Sequence, residues 1–392
     1  MISIMMRSIL ISFIVVIFLF LASIHHLGSV SDSYDNSMGK EDGGFGSQMN
    51  SDEFLTTDTI RLIFAGDVMG HETQLKGAWR DGGDSCYNFA PTFEGVKEYV
   101  SSADLAIANF EVTLAGEPFT GYPAFSSPNA LAVALQEAGF DIFLTANNHI
   151  LDYGVKGFEK TIHALENLGI TYTGMFKDSL QWQADYPLIM KKKGFRLAFL
   201  NYTYGTNMTK AKPPIIVNYI DTVRMAADLH KARLMYADYI IACVHWGEEY
   251  NNNENQEQRQ IAVFLARNGC DLIVGAHPHV VQPIKKIAEN TSDSVLVAYS
   301  LGNFISNQRW RYSDGGIMLE VTLTRTNGVV SLNSHRYEPF WVHRYPEKGV
   351  QVYRMIPVLD YLSNPDRYPL IHVEDEKLLI QFHNDTRRIM NN

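Results

Sequence analysis

The stretch GAHPHVVQPI closes an apolar run and sets two imidazoles, His277 and His279, one residue apart. Read as extended backbone, alternate side chains point to the same side, so both rings would address one place. Pro278 supports that reading, because its ring biases the preceding residue toward extended conformations. Four other apolar runs are followed at once by residues able to bind a metal. They are Asp67 with His71 in AGDVMGH, Asn109 and Glu111 in ANFEVTL, Asn147, Asn148, His149 and Asp152 in TANNHILDYG, and His245 in VHWGEEY. A lone Asp after a strand commonly caps a helix, and a lone His is commonly structural. Five such placements in order are hard to ascribe to turn formation. Imidazole, carboxylate and amide oxygen together suit one or two divalent ions, with zinc, manganese and iron all compatible. His25, His26, His163, His230, His335, His343, His372 and His383 have no comparable setting and read as structural or surface residues.

Residues more than two hundred positions apart converge only if the fold gathers strand ends, and the hydrophobic pattern supplies such a fold. TIRLIFAGDVM reads as a strand ended by Gly66. ADLAIANFE reads as a second strand; then NALAVALQEA reads as a helix opened by Pro128 in its first turn and closed by Gly139. FDIFLTANN and GVKGFEKTIHALENLG repeat the alternation. A hairpin follows, turning at Lys193 and Gly194, and Asp221 caps a helix reaching Met235. DYIIACVHW, NQEQRQIAVFLARNG and DLIVGAHPH then read as strand, helix and strand. This is an α/β chain, and in such sheets ligands bind beyond the carboxyl ends of the strands. From residue 295 onward strands dominate, with a hairpin turn at Asn327 and Gly328. DEKLLIQFHNDTRRIM reads as a closing amphipathic helix.

The 392 residues are 46% hydrophobic and 19% charged, an ordinary globular balance. A net charge of −10 argues against nucleic acid as a partner, since phosphate contacts need excess Lys and Arg. Residues 9–24 form an uncharged apolar run after Arg7, at the short edge of the roughly 17 to 25 residues that span a bilayer. They read as a single N-terminal membrane anchor or a signal peptide, so the domain is expected outside the cytoplasm, attached to the membrane or secreted if the segment is cleaved. Residues 25–58, rich in Gly, Ser, Asp and Asn, read as a flexible tether. Cys86, Cys243 and Cys270 lack metal-type spacing; the latter two lie in or beside apolar runs and read as small hydrophobic filler.

Taken together, AGDVM, NFEVTL, ANNHILDYG, VHWGEEY, GAHPHVVQPI and YSLGNFI resemble the CapA family of poly-γ-glutamate capsule-synthesis proteins. The resemblance covers residues 59–308, leaving 309–392 as a β-hairpin and helix extension of the same domain. It implies a calcineurin-like metallophosphoesterase fold, an αββα sandwich with mixed sheets, preceded here by an N-terminal membrane helix. Carried over position by position, it implies Asp67, Glu111, Asn148, His245, His277 and His279 as metal ligands and His149 as the residue assisting a leaving group; Asp152, three residues on, is taken as catalytic beside it. His71, Asn109, Glu248 and Asn303 are further candidates. Two positions depart from the phosphoesterase pattern: Met69 stands where it has a histidine, and Asn109 or Glu111 where it has an aspartate.

Two functions follow as expectations. One is a membrane-anchored component of poly-γ-glutamate or related envelope-polymer synthesis or export, binding an anionic polymer and working beside membrane synthase or exporter subunits. The other is a metal-dependent hydrolase of phosphoesters or γ-glutamyl amides, in which a metal activates water and polarises the attacked centre. Lys191 to Lys193 could offset the acidic charge toward a polyanion, and Trp341, His343, Arg344 and Tyr345 could line a groove or simply belong to an amphipathic strand.

Overall fold

Period-two alternation along the strands decides the layering. In the computed structural model, which describes residues 58–288 and 294–391, strand β1 (Asp58–Val68) turns Ile60, Leu62 and Phe64 to one core and Ile63 and Ala65 to another. The other strands, in chain order, are β2 (Leu105–Phe110), β3 (Ile142–Leu144), β4 (Thr171–Thr173), β5 (Met175–Phe176), β6 (Leu188–Lys192), β7 (Phe195–Thr203) and β8 (Ile216–Val217). They continue with β9 (Tyr239–His245), β10 (Leu272–Ala276), β11 (Ile284–Ala288), β12 (Ser294–Ala298), β13 (Asn303–Ile305), β14 (Gly315–Thr326), β15 (Val329–Glu347) and β16 (Val350–Pro357). One mixed sheet runs β16-β15-β14-β1-β2-β3-β4 with β13 added beside β1, and a second runs β11-β12-β10-β9-β7-β6.

The sheets face each other across Phe64, Ile107, Phe199, Ile241, Val274 and Leu319, all fully or nearly fully buried. Behind the first sheet lie helices α1 (Glu72–Asp81), α2 (Ala90–Ser101), α3 (Asn129–Glu137) and α4 (Gly154–Asn167), packed through Leu75, Phe93, Leu135 and Phe158. Behind the second lie α5 (Ser179–Asp185), α6 (Thr222–Leu234) and α7 (Gln256–Arg267), packed through Trp182, Leu229 and Leu265. Helix, sheet, sheet, helix is therefore the order of layers. Cys243 is buried between the sheets and Cys270 under the outer helices, both free thiols filling apolar space, while Cys86 is exposed. Helices α8 (Val358–Ser363) and α9 (Val373–Met390) close the chain, α9 burying Leu379 and Phe382 near Trp341.

Local chemistry accounts for the joints. Lys193 and Gly194, with φ of 47° and 80°, turn the β6–β7 hairpin, and Asn327 and Gly328, with φ of 53° and 81°, turn β14 into β15. The Asp221 carboxylate accepts the N–H groups of Val223 and Arg224 at 2.9 and 3.0 Å, capping α6. Pro128 is the N-cap residue of α3 rather than its first helical residue. The expected end of β1 at Gly66 is overturned. β1 continues to Val68 through a register shift between Ala65 and Asp67, because Gly66 lets the backbone of Gly302 come so close that an added Cβ would lie 1.9 Å from its carbonyl oxygen. The membrane segment expected over residues 9–24 and the tether expected over 25–58, save its last residue, lie outside the described residues. No helix of the described residues is long and apolar enough to cross a membrane.

One buried acid lies away from these joints. Asp228 on α6 is 2% exposed and accepts a hydrogen bond from the Tyr202 hydroxyl at 3.0 Å. Burial pushes its carboxyl up to about 6, against the opposing pull of Tyr202, Arg224 and Lys231. Because the folded value exceeds the unfolded one, the charged form destabilises the fold above about pH 6, and that cost disappears as pH falls toward 4. Asp228→Asn keeps the acceptor for Tyr202 and should raise Tm at pH 8 by about 2 °C, on the order of 1 kcal/mol, with a smaller gain at pH 5. Thermal unfolding of both proteins at the two pH values checks this.

Candidate metal centre

Parallel neighbours bring strand ends together. β1 and β2 run parallel with Asp67 beside Asn109, β2 and β3 with Asn109 beside Leu144, and β7, β9 and β10 align Thr203, His245 and Ala276. The carboxyl ends of both sheets thus meet at one edge of the sandwich, where Asp67, Glu111, Asn148, His245, His277 and His279 are all at most 3% exposed.

The hydrogen bonds there are closely interlocked. Asp67 accepts from the Asn109 amide at 2.8 Å, from the His277 backbone N–H at 3.2 Å and from His279 Nδ1 at 2.9 Å. His279 is thereby oriented with Nε2 3.9 Å from Glu111 Oε1. His245 Nε2 lies 2.8 Å from Asn148 Oδ1 and 3.5 Å from Glu111 Oε1. Ligand atoms of Glu111, His277 and His279 lie within 4.8 Å of one another, and so do those of Asp67, Glu111 and His245. Glu111 belongs to both groups.

Two atoms of this cluster are buried without a hydrogen-bond partner, Glu111 Oε1 and His277 Nδ1. A buried acceptor left bare is costly, and here both bare atoms belong to residues of one ligand group. The electrostatics agree: burial, and next the Asp67 charge, raise the Glu111 carboxyl well above its usual range. Burial, and next the field of His279, push His277 down to about 3, and burial holds His245 well below its usual value. The buried Glu111 carboxylate beside the imidazoles of His245, His277 and His279 is a donor set that a divalent cation satisfies, so the residues fit the implied ion.

The two histidines of HPH reach the site by a route different from the extended one expected. β10 ends at Ala276, and His277 and His279 have φ of 99° and 58°. The left-handed turns instead fold the loop so that the His277 N–H and the His279 ring reach the same carboxylate.

His149 and Asp152 form a pair of their own, with His149 Nδ1 2.8 Å from Asp152 Oδ2, which also accepts the Phe125 N–H at 2.8 Å. The Phe125 ring stands edge-on between His149 and His71, with centroids 4.7 and 5.1 Å away. His71 is the N-cap of α1; its Nδ1 accepts from the Asn307 N–H at 3.2 Å and lies 3.1 Å from Gln74 Oε1. Burial, opposed by the Gln74 hydrogen bond and aided by His279 and His149, lowers its ring to about 4; it stands near the cluster without joining either ligand group. Met69, at the position where the phosphoesterase pattern has a histidine, is core. Asn109 turns its amide nitrogen to Asp67, Glu111 and His245, so it donates within the cluster. Asn303 donates to the carbonyls of His279 and Ser313 and to Gln308, holding the loop beneath the site. Glu248 is exposed and bonded within its own loop to Asn251, and it is the charge of the adjacent Glu249 that reaches Glu111.

An aromatic wall flanks the site, built from residue types that a pattern of metal ligands does not contain. Tyr204, one residue past β7, lies 4.6 Å from the His277 ring, and Tyr250 lies 5.9 Å from His279 with Trp310 5.3 Å beyond it. Only its position after an apolar strand could have marked Tyr204.

The family model described as bacterial capsule synthesis protein PGA_cap matches residues 61–308. The chain belongs to that family. Every residue of the PGA_cap cluster lies within the match, and β14 to β16 lie beyond it. "Capsule biosynthesis protein CapA" of Bacillus anthracis is 31% identical over 286 residues, 67% of this chain and 66% of that protein, so about a third of that relative lies outside the match. "PGA biosynthesis protein CapA" of Bacillus subtilis is 28% identical over 288 residues, 69% of this chain and 70% of that protein. Among solved structures, the calcineurin-like phosphoesterase YfkN from Bacillus subtilis superposes with a TM-score of 0.44 at 13% identity, over 72% of this chain and 91% of that one.

Proposed function

We propose that this PGA_cap-family chain acts in the synthesis or export of poly-γ-glutamate or a related envelope polymer, through a divalent-metal site that engages the anionic chain. The observation that carries the reading is the bare Glu111 Oε1 set among His245, His277 and His279. The printed names of the two Bacillus relatives support the choice of polymer. Asp67, Glu111, Asn148, His245, His277 and His279 would hold one or two ions of manganese, zinc or iron. Such an ion supplies Lewis acidity, polarising a phosphoryl, carbonyl or carboxylate oxygen. Attachment to the membrane by residues 9–24, with the domain outside the cytoplasm beside synthase or exporter subunits, completes the proposal. Removing residues 1–24 should shift the protein from the membrane to the soluble fraction; a variant that still sediments with membranes would refute the anchor.

A second reading is favoured by one observation, the buried His149–Asp152 pair. Asp152 holds the imidazole by Nδ1 and leaves Nε2 to give a proton to a departing group, as a hydrolase of phosphoesters or γ-glutamyl amides requires. One experiment separates the two. Metal is measured in the purified full chain after supplementation with manganese, zinc or iron, and cleavage of a phosphodiester and of poly-γ-glutamate is followed in wild type and His277→Ala. Stoichiometric metal in wild type, falling at least about 10-fold in the variant, supports the site. Turnover that falls with it supports the hydrolase, and metal without turnover supports polymer binding. Wild type that retains no metal sinks both.

A further inference from the structure

Most arginines that face an acid in this fold are bonded to it: Arg311 to Asp385, Arg325 to Asp238, Arg336 to Glu320 and Arg354 to Asp81. Arg309 and Arg344 differ. Both are half-buried, and among the described residues neither guanidinium has a carboxylate oxygen within 4.0 Å. Arg309 spends one donor on the Val342 carbonyl at 2.7 Å and lies 5.5 Å from the Trp341 ring centre. Arg344 spends one on Asn307 Oδ1 at 3.0 Å. Each guanidinium carries five N–H donors, so most of their capacity is unspent. They also stand close enough to repel: burial lowers Arg309, and Arg344 lowers it further, with Asp314 and Asp375 opposing from a distance.

Both arginines, without a carboxylate partner, stand beside the cluster. Asn307, which holds Arg344, donates its backbone N–H to His71 and accepts the Tyr353 hydroxyl at 2.6 Å. On either side of Arg309 in the chain, Gln308 donates to the Tyr250 hydroxyl at 3.1 Å and Trp310 packs on the Tyr250 ring. Residues 306–310, Arg309 among them, therefore form a rim that joins Arg344 to the His279 side of the cluster. Both arginines lie beyond residue 308, where the family match ends.

We propose that Arg309 and Arg344 form an anion subsite on the rim of the metal cluster, which takes a carboxylate of the polymer while a neighbouring unit faces the ligands. The choice of polymer rests on the function proposed above; the subsite itself rests on the arginines. A γ-linked glutamate chain offers one free α-carboxylate per unit, and a planar guanidinium matches a carboxylate in two parallel hydrogen bonds. An anion between the two cations also relieves their mutual repulsion.

The test is fluorescence anisotropy of a labelled γ-linked oligoglutamate against the metal-loaded full chain. Arg309→Gln and Arg344→Gln should each weaken binding at least about 10-fold, and together about 100-fold. Arg344→Lys should fall between, and the exposed control Arg336→Gln should bind like wild type. Metal content and Tm, measured on every variant, separate loss of the subsite from loss of the fold. Oligoglutamate bound equally by wild type and by the folded double variant overturns the subsite and leaves the polymer reading standing. If wild type binds no oligoglutamate, the polymer reading fails, and the subsite is judged by inorganic phosphate on metal-stripped protein. Phosphate that raises the Tm of wild type and not of the double variant upholds an anion subsite. Phosphate that stabilises both equally, or neither, overturns it.

Discussion

Glu111→Gln should abolish tight metal binding while leaving the metal-free protein at least as stable as wild type. Glu111 is fully buried, one of its oxygens has no partner, and burial raises its carboxyl well above the usual range. In the metal-free fold the ionised side chain therefore works against folding, increasingly so as pH rises from the unfolded value through the folded one. The amide removes that charge at nearly constant shape, so Tm at pH 8 should hold or rise. Metal tells the opposite story. Wild type should gain about 2.7 kcal/mol at a free-metal concentration of 100 times Kd, and the variant should gain almost nothing, because it belongs to both ligand groups and loses about 100-fold or more in affinity. Calorimetric titration with manganese and zinc, with thermal unfolding in chelator, reads both halves. A variant that binds metal like wild type would remove Glu111 from the site. One that unfolds without metal would make its role structural.

The second large effect comes from a methyl group. Gly66→Ala places a Cβ 1.9 Å from the Gly302 carbonyl oxygen and 3.0 Å from its carbon, and both are backbone atoms that no rotamer change can move. The same approach carries the hydrogen bond from the Asp67 N–H to Gly302 at 3.0 Å and the pairing of Asp67 with Asn303. Separating β1 from β13 should cost about 3 kcal/mol or more and move Asp67 away from His279. Gly205→Ala, whose Cβ would meet nothing within 4 Å, should change stability by less than about 0.5 kcal/mol. Denaturant midpoints of the two variants measure the contrast; a Gly66→Ala protein as stable as Gly205→Ala would mean that β13 yields freely.

Much of the site could be read from the sequence because a parallel sheet collects the carboxyl ends of its strands, so that a residue's place after an apolar run already says where it lies. That rule put forward Asp67, Glu111, Asn148, His245, His277 and His279 along with their neighbours, and the family resemblance singled out these six. The rule fails where backbone or long-range packing decides. Pro278 pointed to extended geometry for His277, yet that residue takes φ of 99°, a conformation imposed by Asp67 from the other sheet. Glu248 and Glu249 are indistinguishable by type, and only the course of their loop turns one of them toward Glu111. The path of β1 past Gly66 depended on a glycine 236 residues later, which no local pattern reveals. Arg344 stood in the sequence among residues that could line a groove, but that it and Arg309 have no acid beside them depends on where the fold puts the acids that hold Arg311 and Arg354.

Asp67, Glu111 and Asn148 come from the first sheet, and His245, His277 and His279 from the second. A chain emerging from the ribosome or across a membrane delivers the first three long before the last three. Until residue 245 has arrived and the halves of the sandwich have closed, no three of the grouped ligands share a place, and the second group waits for residue 279. Metal capture is therefore a late event, a mark of maturity that partly made or half-folded chains cannot acquire. In refolding, metal uptake should lag behind the rise of helical circular dichroism.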